Sequence, residues 1–436
     1  MTARSLPLIL LAILLIGLRP AAAQSGLAAA PVPPDSSEPA SETTGTPSEH
    51  DEDVEDEHWH DLGDAVGDHA DDYVGARDGH GALYEQESAV YRTPPPLRYN
   101  RVEGFVLGIQ RDPLYFGGDD ETRVFGQVAY ATKLNDVRYT AGLESQLYAT
   151  DRTGLKLGVT YQEQTLSPDR WKTSYLENSL ASAGFRHDFF DYYEAEGVAV
   201  YGVQDLPASL QLKGGFRAEE HRRLGVNTNW SVFGSGDFRE NPAIDEGRMQ
   251  ALFASLSGGR VRDRDDLPTG QAFRLAATVT DGMGGDFSFY RYEADGRLFL
   301  PLTPDTRLAL RVRGGYATNR APLQSQFTIG GIGSIRSYDQ NRFRGTRMLL
   351  ANAEYLIDGA TIVDGLFDDL FVAGLLDAGW VGGPADRPRF GDVLPSAGFG
   401  IGLDEREVRL DVSWPLRDVP GAGSKPAIWL RITPNF

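Results

Sequence analysis

The sequence predicts an all-β protein: a transmembrane β-barrel of sixteen antiparallel strands, with a disordered acidic segment in front of the barrel. Three observations lead to this prediction. Beyond residue 100 the chain alternates apolar and polar positions over segments long enough to cross a bilayer at a tilt. After residue 23 it contains no run of about eighteen apolar residues, which excludes membrane-spanning helices. It also ends in a strand pattern closed by the aromatic residue Phe436.

The first 23 residues have the layout of a secretory signal peptide. Arg4 precedes an apolar stretch from Leu6 to Leu18, and Ala21 to Ala23 provide small residues for cleavage before Gln24. The apolar stretch is too short to span a bilayer. We therefore predict that residues 1–23 are removed and that the protein is exported to the outer membrane of a Gram-negative cell.

Residues 24–97 form an acidic segment without the composition of a folded domain. Residues 24–95 contain 18 acidic and 2 basic side chains, which gives −16 of the formal net charge of −20. The few apolar residues cannot offset the entropy of ordering the chain, and Pro94-Pro95-Pro96 marks a stiff boundary. We predict a disordered periplasmic segment, whose charge argues against nucleic acid as a partner.

The histidines and the lack of cysteine limit the chemistry that the chain can perform. With no cysteine, disulfides and thiolate ligands are excluded. His58 and His60 bring two imidazoles close together in the acidic segment, so metal capture is an alternative to a plain solvated spacer. Because no fixed geometry is implied, we predict no metal site and no cofactor. Beyond residue 97 only His187 and His221 are available as histidine bases, and no Gly-x-Ser-x-Gly sequence occurs, so we predict that the protein is not an enzyme.

Sixteen alternating segments make up the predicted barrel, residues 98–436, and an even number suits a closed antiparallel wall. Between Glu407 and Leu416, for example, Val408, Leu410 and Val412 share one face, while the other face carries charged or small side chains. The predicted strands are 102–110, 122–132, 138–149, 154–163, 176–188, 192–204, 207–217, 246–258, 270–280, 285–300, 304–317, 346–357, 370–380, 395–403, 406–415 and 427–436.

The segment after the eleventh predicted strand, and the strands that follow it, carry a distinctive order of residues: Gly330, Gly331, Arg336, Tyr338, Glu354, Asp377 and Gly379. This order resembles the barrel of the bacterial surface antigen superfamily, which includes the BamA/TamA and two-partner-secretion transporters. The sequence from Arg101 to Gly104 and the final Phe436 are similar to that family as well. The resemblance covers residues 98–436, and its specific motifs lie in the last third.

The resemblance implies that the segment around Arg336 is a long extracellular loop folded back into the barrel lumen. Alternation along the strands places Glu354 and Asp377 on the inward face, and an arginine fork binds carboxylates directionally. We therefore predict that Arg336 tethers the loop to one or both carboxylates; the alternative is that these are ordinary lumen charges. The family has glycine where Ser337 stands here. Because glycine permits positive φ, the loop is expected to sit differently or to bind less tightly.

The last strand carries a second predicted signal. Trp429, Leu430, Ile432 and Phe436 form the kind of apolar and aromatic ending that the barrel-assembly machinery reads in many outer-membrane barrels. We expect this strand to meet residues 100–110 across the barrel closure and to form a lateral seam with them.

Function is implied by the resemblance and not by a chemical motif. Relatives that insert or secrete proteins carry periplasmic POTRA modules, and the acidic segment cannot fold into one, so the chain resembles the short members of the superfamily. We expect translocation or membrane insertion of a protein or lipid client at the seam, by a monomer surrounded by outer-membrane lipid. The alternatives are a structural anchor for a periplasmic partner and a passive pore. In such a pore Arg307, Arg311 and Arg313 would favour small anions.

Overall fold

The computed structural model describes residues 93–116, 122–150, 152–264, 267–358, 370–403, 408–419 and 426–432. The predicted signal peptide, most of the acidic segment with His58 and His60, and the terminal Phe436 lie outside these ranges. The predictions made for them stay predictions.

The described residues form one large antiparallel sheet and a separate small hairpin, which confirms the all-β prediction. Strands next to each other in the sheet are also next to each other along the chain, except at the one place where the hairpin intervenes. The sixteen strands of the sheet are β1 (Arg98–Asn100), β2 (Gly104–Phe116), β3 (Thr122–Ala131), β4 (Asp136–Ala149), β5 (Gly154–Leu166), β6 (Tyr193–Leu206), β7 (Leu210–Arg223), β8 (Gly247–Arg264), β9 (Leu267–Val279), β10 (Tyr290–Thr303), β11 (Thr306–Ala317), β14 (Arg347–Asp358), β15 (Leu370–Gly382), β16 (Leu394–Leu403), β17 (Val408–Pro415) and β18 (Ala427–Ile432). The hairpin strands are β12 (Phe327–Ile329) and β13 (Phe343–Gly345), and the α-helix of the described residues, α1, covers Tyr175–Phe185.

Five connections, each of about ten residues or more, leave the sheet at the same end. Because neighbouring strands run in opposite directions, the segments that follow β5, β7, β9, β11 and β15 all emerge at the same end. At the opposite end, the connections at 207–209 and 304–305 are tight turns. The candidate site is built from two of the long connections, β5 to β6 and β11 to β14.

Burial along the strands is the reverse of that in a soluble sheet. On β15, Leu376 is 57% exposed while its neighbour Asp377 is 4% exposed. On β17, Leu410 is 46% exposed and Arg409 is fully buried. Apolar side chains therefore face outward and charged side chains face inward, as a wall with lipid outside requires. In the described part of the chain, no helix has the length and apolar content needed to cross a membrane.

One predicted strand is wrong, because residues 176–188 form most of α1 and the segment after it. The helix begins at Ser174, whose hydroxyl accepts a hydrogen bond from the backbone N–H of Glu177. A serine followed three residues later by glutamate is the spacing of a capping box, a helix-start signal that outweighs the irregular alternation here. Arg186 ends the helix in a left-handed conformation with a φ of 64°.

The first strand and the seam also differ from the sequence prediction. The predicted first strand, 102–110, belongs mostly to β2, and the sheet begins with β1, which is too short for alternation to reveal. The predicted pairing of the last strand with residues 100–110 does not occur among the described residues, where β18 pairs with β17 and β1 with β2. Both β1 and β18 contact α1 instead. A closed sixteen-stranded barrel stays a prediction.

We expect a charge on the outward face to destabilise the protein in lipid. Val312, in β11, is 62% exposed. The substitution Val312→Arg places a cation where hydrocarbon is predicted, at a cost of about 2–4 kcal/mol near the bilayer centre. Asp305→Arg, in the turn before β11, also introduces an arginine and serves as the control. Urea unfolding in lipid vesicles compares the two variants, and equal free energies of unfolding would contradict the outward assignment.

Candidate functional site

The connection between β11 and β14, called here the inward loop (residues 318–346), is shaped by three glycines. Gly330, Gly331 and Gly333 have φ angles of 107°, 83° and 66°, values that residues with a side chain rarely adopt. Space is limited as well, because a Cβ atom on Gly333 would lie 1.9 Å from the carbonyl oxygen of Lys172. The glycines let the loop turn tightly and bring Arg336 to the sheet.

Arg336 reaches from the inward loop to two strands of the sheet. Its Nη1 lies 2.7 Å from Oε1 of Glu354 on β14, and its Nη2 lies 2.9 Å from Oδ1 of Asp377 on β15. Its backbone N–H donates to the other oxygen of Asp377 at 3.1 Å. All three residues are 4% exposed or less. The contact has the geometry of a two-carboxylate tether, and its role in holding the loop stays a prediction.

Two further charged residues, both on β17, complete this buried charge cluster. Arg409 contacts Glu354 through Nη1 and Asp411 through Nε, both at 2.7 Å. Asp411 also lies 3.6 Å from Nη1 of Arg336. Two arginines and three carboxylates, counting Asp377, are therefore packed together, and the cluster connects the inward loop to β14, β15 and β17.

The guanidinium and carboxylate groups of the cluster offset the free-energy cost of removing one another from water. Burial by itself would lower the pKa of Arg336, but the surrounding carboxylates, led by Asp377 and Glu354, outweigh it and raise that pKa. Asn352 adds a neutral donor, with its Nδ2 2.7 Å from Oδ1 of Asp377. Removing one partner of such a buried pair leaves a charge uncompensated. The cluster therefore favours one position of the loop on the sheet.

Gly379, two residues after Asp377, makes room for the loop. A Cβ atom on Gly379 would lie 2.5 Å from Cδ1 of Ile335. Ile335 is fully buried in an apolar cluster that also contains Ile329 and Tyr338. The carboxylate and the glycine of β15 therefore have complementary effects, because one binds the arginine and the other lets the loop pack directly on the strand.

The end of the chain also contacts the inward loop. Trp429 on β18 donates from Nε1 to the carbonyl oxygen of Arg336 at 2.7 Å. Tyr338 donates from its hydroxyl to the carbonyl oxygen of Arg417, between β17 and β18, at 3.0 Å. The inward loop is thus bound to the last strand as well as to the strands that carry the charge cluster.

The four residues of the predicted assembly signal have different surroundings. Trp429 contacts the inward loop, whereas Leu430, at 46% exposed, faces outward. Ile432 is the last described residue, and its backbone N–H donates to Glu177 of α1 at 3.0 Å. Phe436 lies outside the described residues. A role of these four residues in assembly stays a prediction.

The connection between β5 and β6 packs against the inward loop. Lys172 Nζ lies 2.9 Å from Oδ1 of Asp169, and both residues are buried. From the inward loop, the Thr328 hydroxyl donates to Asp169 at 3.0 Å, and Asn341 donates to it at 2.8 Å. Burial by itself would raise the pKa of Asp169, but the charge and hydrogen bond of Lys172 lower it to about 2. The two connections are therefore held together by buried polar contacts.

Ser337, which stands where the family has glycine, is accommodated without backbone strain. It is not among the described residues with positive φ, so the backbone here does not require glycine. Its side chain is 4% exposed. The neighbouring Arg336 contacts both predicted carboxylates. The serine is thus compatible with the contact between loop and sheet.

The arginines predicted to attract anions in a passive pore are engaged in other contacts. Arg311 and Arg313 contact Asp295 on β10 at 2.7 and 3.1 Å. Their guanidinium carbons lie 5.0 and 4.4 Å from the ring centroid of Trp171. Arg307 donates to carbonyl oxygens of its own turn, and all three arginines are 3% exposed or less. The three arginines therefore form structural contacts on the inner face of the sheet.

A group of three carboxylates on β4 to β6 has the spacing of a metal site. Oxygen atoms of Asp136, Glu163 and Glu194 lie within 4.8 Å of one another. Arg138 contacts them at 3.3, 3.0 and 2.7 Å, in that order. Its guanidinium already supplies the positive charge that such a group needs, so the geometry does not require a cation.

An outward apolar face, an inward charged face and an arginine-bound loop against the interior define a class of protein, the outer-membrane β-barrel with an inward loop. Comparison with known proteins supplies the family. The model of the Omp85 superfamily domain matches residues 111–404. The chain therefore belongs to the Omp85 superfamily, whose members are outer-membrane proteins of Gram-negative bacteria and are transporters or insertases, not enzymes. The predicted family, location and lack of enzymatic activity are confirmed.

Three solved structures show a distant likeness. BamA from Haemophilus ducreyi lacking POTRA domains 1–3 has 14% sequence identity and a TM-score of 0.49, over 76% of this chain and 68% of that chain. CdiB from Acinetobacter baumannii has 12% identity and a TM-score of 0.43, over 75% and 56%. CdiB from Escherichia coli has 11% identity and a TM-score of 0.40, over 77% and 60%. The chain thus spans less than two thirds of either CdiB. A search of curated proteins found no match.

Sequence reasoning missed several participants in the site. Alternation along β17 places Arg409 and Asp411 opposite Val408 and Leu410, hence on the inward face. It does not give their height along the strand, so their contact with the loop could not be inferred. Glu177, the residue of α1 that contacts β18, was missed because its segment was predicted to be a strand.

We expect Arg336→Ala to destabilise the protein, because it leaves buried carboxylates uncompensated, at a cost of about 3–5 kcal/mol. Arg336→Lys, which keeps the charge and loses the fork, should have an intermediate effect. Arg342→Ala, at an exposed position of the same loop, is the control. Urea unfolding in vesicles and protease sensitivity of the loop measure the effects. If Arg336→Ala behaves like Arg342→Ala, the tether prediction is wrong.

We expect the contact between the two connections to weaken in acid. The pKa of Asp169 in the folded protein is about 2, below its ordinary value of 3.8. A depressed pKa means that the stabilisation is present above the ordinary value and is lost as the pH falls towards the folded value. Hydrogen exchange of residues 167–174, corrected for its intrinsic pH dependence, should therefore accelerate between pH 3.8 and about 2. Asp169→Asn should abolish this transition and Asp305→Asn should not; a transition that persists in Asp169→Asn would exclude this carboxylate as its cause.

Proposed function

We propose that this protein inserts protein clients into the outer membrane or secretes them across it, with the region between β1 and β18 as a lateral seam. Membership of the Omp85 superfamily supports the general activity. The seam, the protein nature of the client and the use of the last strand are parts of the proposal.

The observation that carries the proposal is the state of the two terminal strands. Among the described residues, β1 and β18 do not pair with each other. Unpaired backbone groups in lipid cost several kcal/mol each, so membrane proteins avoid open strand edges. An edge that pairs with no strand of its own sheet is suited to pairing with an incoming strand, which is a common mode of peptide recognition.

The buried charge cluster supports the same proposal, because it stabilises the interior beside the seam. Arg336 binds Glu354 and Asp377, and its carbonyl oxygen accepts the indole N–H of Trp429 on β18. The last strand is therefore attached to the inward loop as well as to β17. This attachment would keep β18 in place while its outer edge binds a client.

The partners that follow are an extended polypeptide client at the seam and the barrel-assembly machinery that places the protein in the membrane. The acidic segment is proposed to serve as a plug, as a tether to a periplasmic partner or as an attractant for cationic clients. A passive anion pore has less support, because Arg311 and Arg313 are paired with Asp295 and buried.

Site-specific photo-crosslinking in cells tests the proposal. Ile428, on β18, is 64% exposed, and Leu349, on β14, is 48% exposed. A photoreactive residue at Ile428 should give adducts with client polypeptides, whereas the same residue at Leu349 should contact only lipid. Equal adduct patterns at the two positions would contradict a seam between β1 and β18.

Conductance in planar bilayers separates a translocator from a passive pore. We expect the purified protein to show no steady open state. A steady conductance of nanosiemens order, unchanged after removal of residues 24–95, would favour the pore and would exclude the acidic segment as a plug.

A further inference from the structure

Helix α1 occupies the position between the two terminal strands and binds both of their edges. On one side, the Ser179 hydroxyl accepts a hydrogen bond from the backbone N–H of Tyr99 on β1 at 3.2 Å. On the other side, Oε1 of Glu177 accepts from the backbone N–H of Ile432 on β18 at 3.0 Å. Side chains of the helix thus take the place that the carbonyl oxygens of a neighbouring strand would have.

The two faces of the helix have the chemistry expected of an element of the outer wall. Leu180 and Phe185 are 48% and 51% exposed, as are many outward apolar residues of the strands. Glu177, Asn178 and Ser182 are buried. An apolar face outward and a polar face inward is the arrangement expected for an element between lipid and a polar interior.

The side of the helix nearest β1 is held by several independent contacts. Asn178 donates to the hydroxyl of Tyr192 at 2.8 Å. Asp188, just beyond the helix, contacts Arg101 in the turn after β1, with a nitrogen–oxygen distance of 3.0 Å. The carbonyl of Ala183 accepts from the backbone N–H of Val232 at 2.8 Å. These contacts fix the helix to the β1–β2 turn and to the connection after β7.

Attachment to β18 combines one buried carboxylate of the helix with ring contacts of Trp429 to His187 and Phe189, just beyond the helix. In addition to the backbone of Ile432, Glu177 binds Nε of Arg431 at 2.8 Å, and both side chains are buried. The helix makes no strand pairing with β18 in the described residues, so the two can separate without breaking a β-ladder. The carboxylate contact therefore has the properties of a latch.

We propose that α1 is a wedge that closes the seam at rest, and that the contact of Glu177 with β18 has to open before a client strand can pair there. The inference rests on the proposed function, because it assigns the regulation of the same seam. A helix at this position accepts the backbone N–H of Ile432 on β18 and excludes an incoming strand. An incoming strand supplies a carbonyl acceptor for the same N–H and replaces the helix.

A double substitution tests the wedge in two states. The chain contains no cysteine, so Glu177→Cys with Arg431→Cys releases the latch when reduced and locks it when a short bifunctional thiol reagent joins the two residues. The control is Thr122→Cys with Ser145→Cys, which joins two paired residues of β3 and β4 whose hydroxyls are 3.0 Å apart. With a photoreactive residue at Ile428, the locked latch should give about tenfold fewer client adducts than the reduced form, as for a closed population. The locked control should give the same yield as its reduced form.

A second measurement needs no client. Ser182 lies on the buried face of the helix and is fully buried, so Ser182→Cys should react slowly with a water-soluble maleimide. Glu177→Gln in that background should accelerate labelling by about tenfold, because it weakens the closed state. Glu240→Gln, at an exposed position, should not change the rate. Heat-modifiability of each variant shows that it is folded.

The outcomes separate this inference from the proposed function. Equal adduct yields from the locked and reduced latch overturn the wedge, whatever the labelling rate, while the adducts themselves support the proposed function. If a chain whose only change is the photoreactive residue at Ile428 gives no client adduct, the proposed function fails. The wedge is then tested by the maleimide labelling of Ser182→Cys alone. In that case a rate unchanged by Glu177→Gln overturns it, and a faster rate supports it.

Discussion

The buried contact between Arg336 and the carboxylates of Glu354 and Asp377 is the constraint on which the rest of the interior depends. A guanidinium group in this position has lost its water, and only carboxylates at 2.7 and 2.9 Å make its burial tolerable. The inward loop consequently has one preferred position on the sheet. Gly333 and Gly379, which have no Cβ atom, allow the close packing that this position requires.

The consequences reach both ends of the sheet. Through its carbonyl oxygen, Arg336 accepts a hydrogen bond from Trp429 of the last strand. Through Thr328 and Asn341, the inward loop holds Asp169 in the connection that continues into α1. The loop, the last strand and the helix are therefore coupled by short polar contacts. A displacement of the loop would therefore disturb its hydrogen bond to β18, where the proposed seam lies.

Two kinds of contact meet at that seam and differ in how easily they open. Between neighbouring strands, a ladder of backbone hydrogen bonds must be broken over many residues. Between α1 and β18, a carboxylate binds one backbone donor and one arginine side chain. At the proposed seam the wall thus has a helix contact in place of a β-ladder, where the sequence predicted pairing of the last strand with residues 100–110.

The sequence by itself determined that the chain forms a β-sheet whose apolar side chains face outward and whose charged side chains face inward. Alternation along strands such as β17 separates Arg409 from Leu410, and the glycine, arginine and carboxylate motifs predicted which residues meet Arg336. The tertiary structure alone decided how the ends of the sheet are completed. The alternation of apolar and polar residues shows which face of the sheet a residue occupies. It does not show at what height along the strand the residue lies or which residue it contacts across the interior. Residues 176–188 also alternate weakly, which obscured the helix-start spacing of Ser174 and Glu177, and no local signal states that the helix lies against β1 and β18.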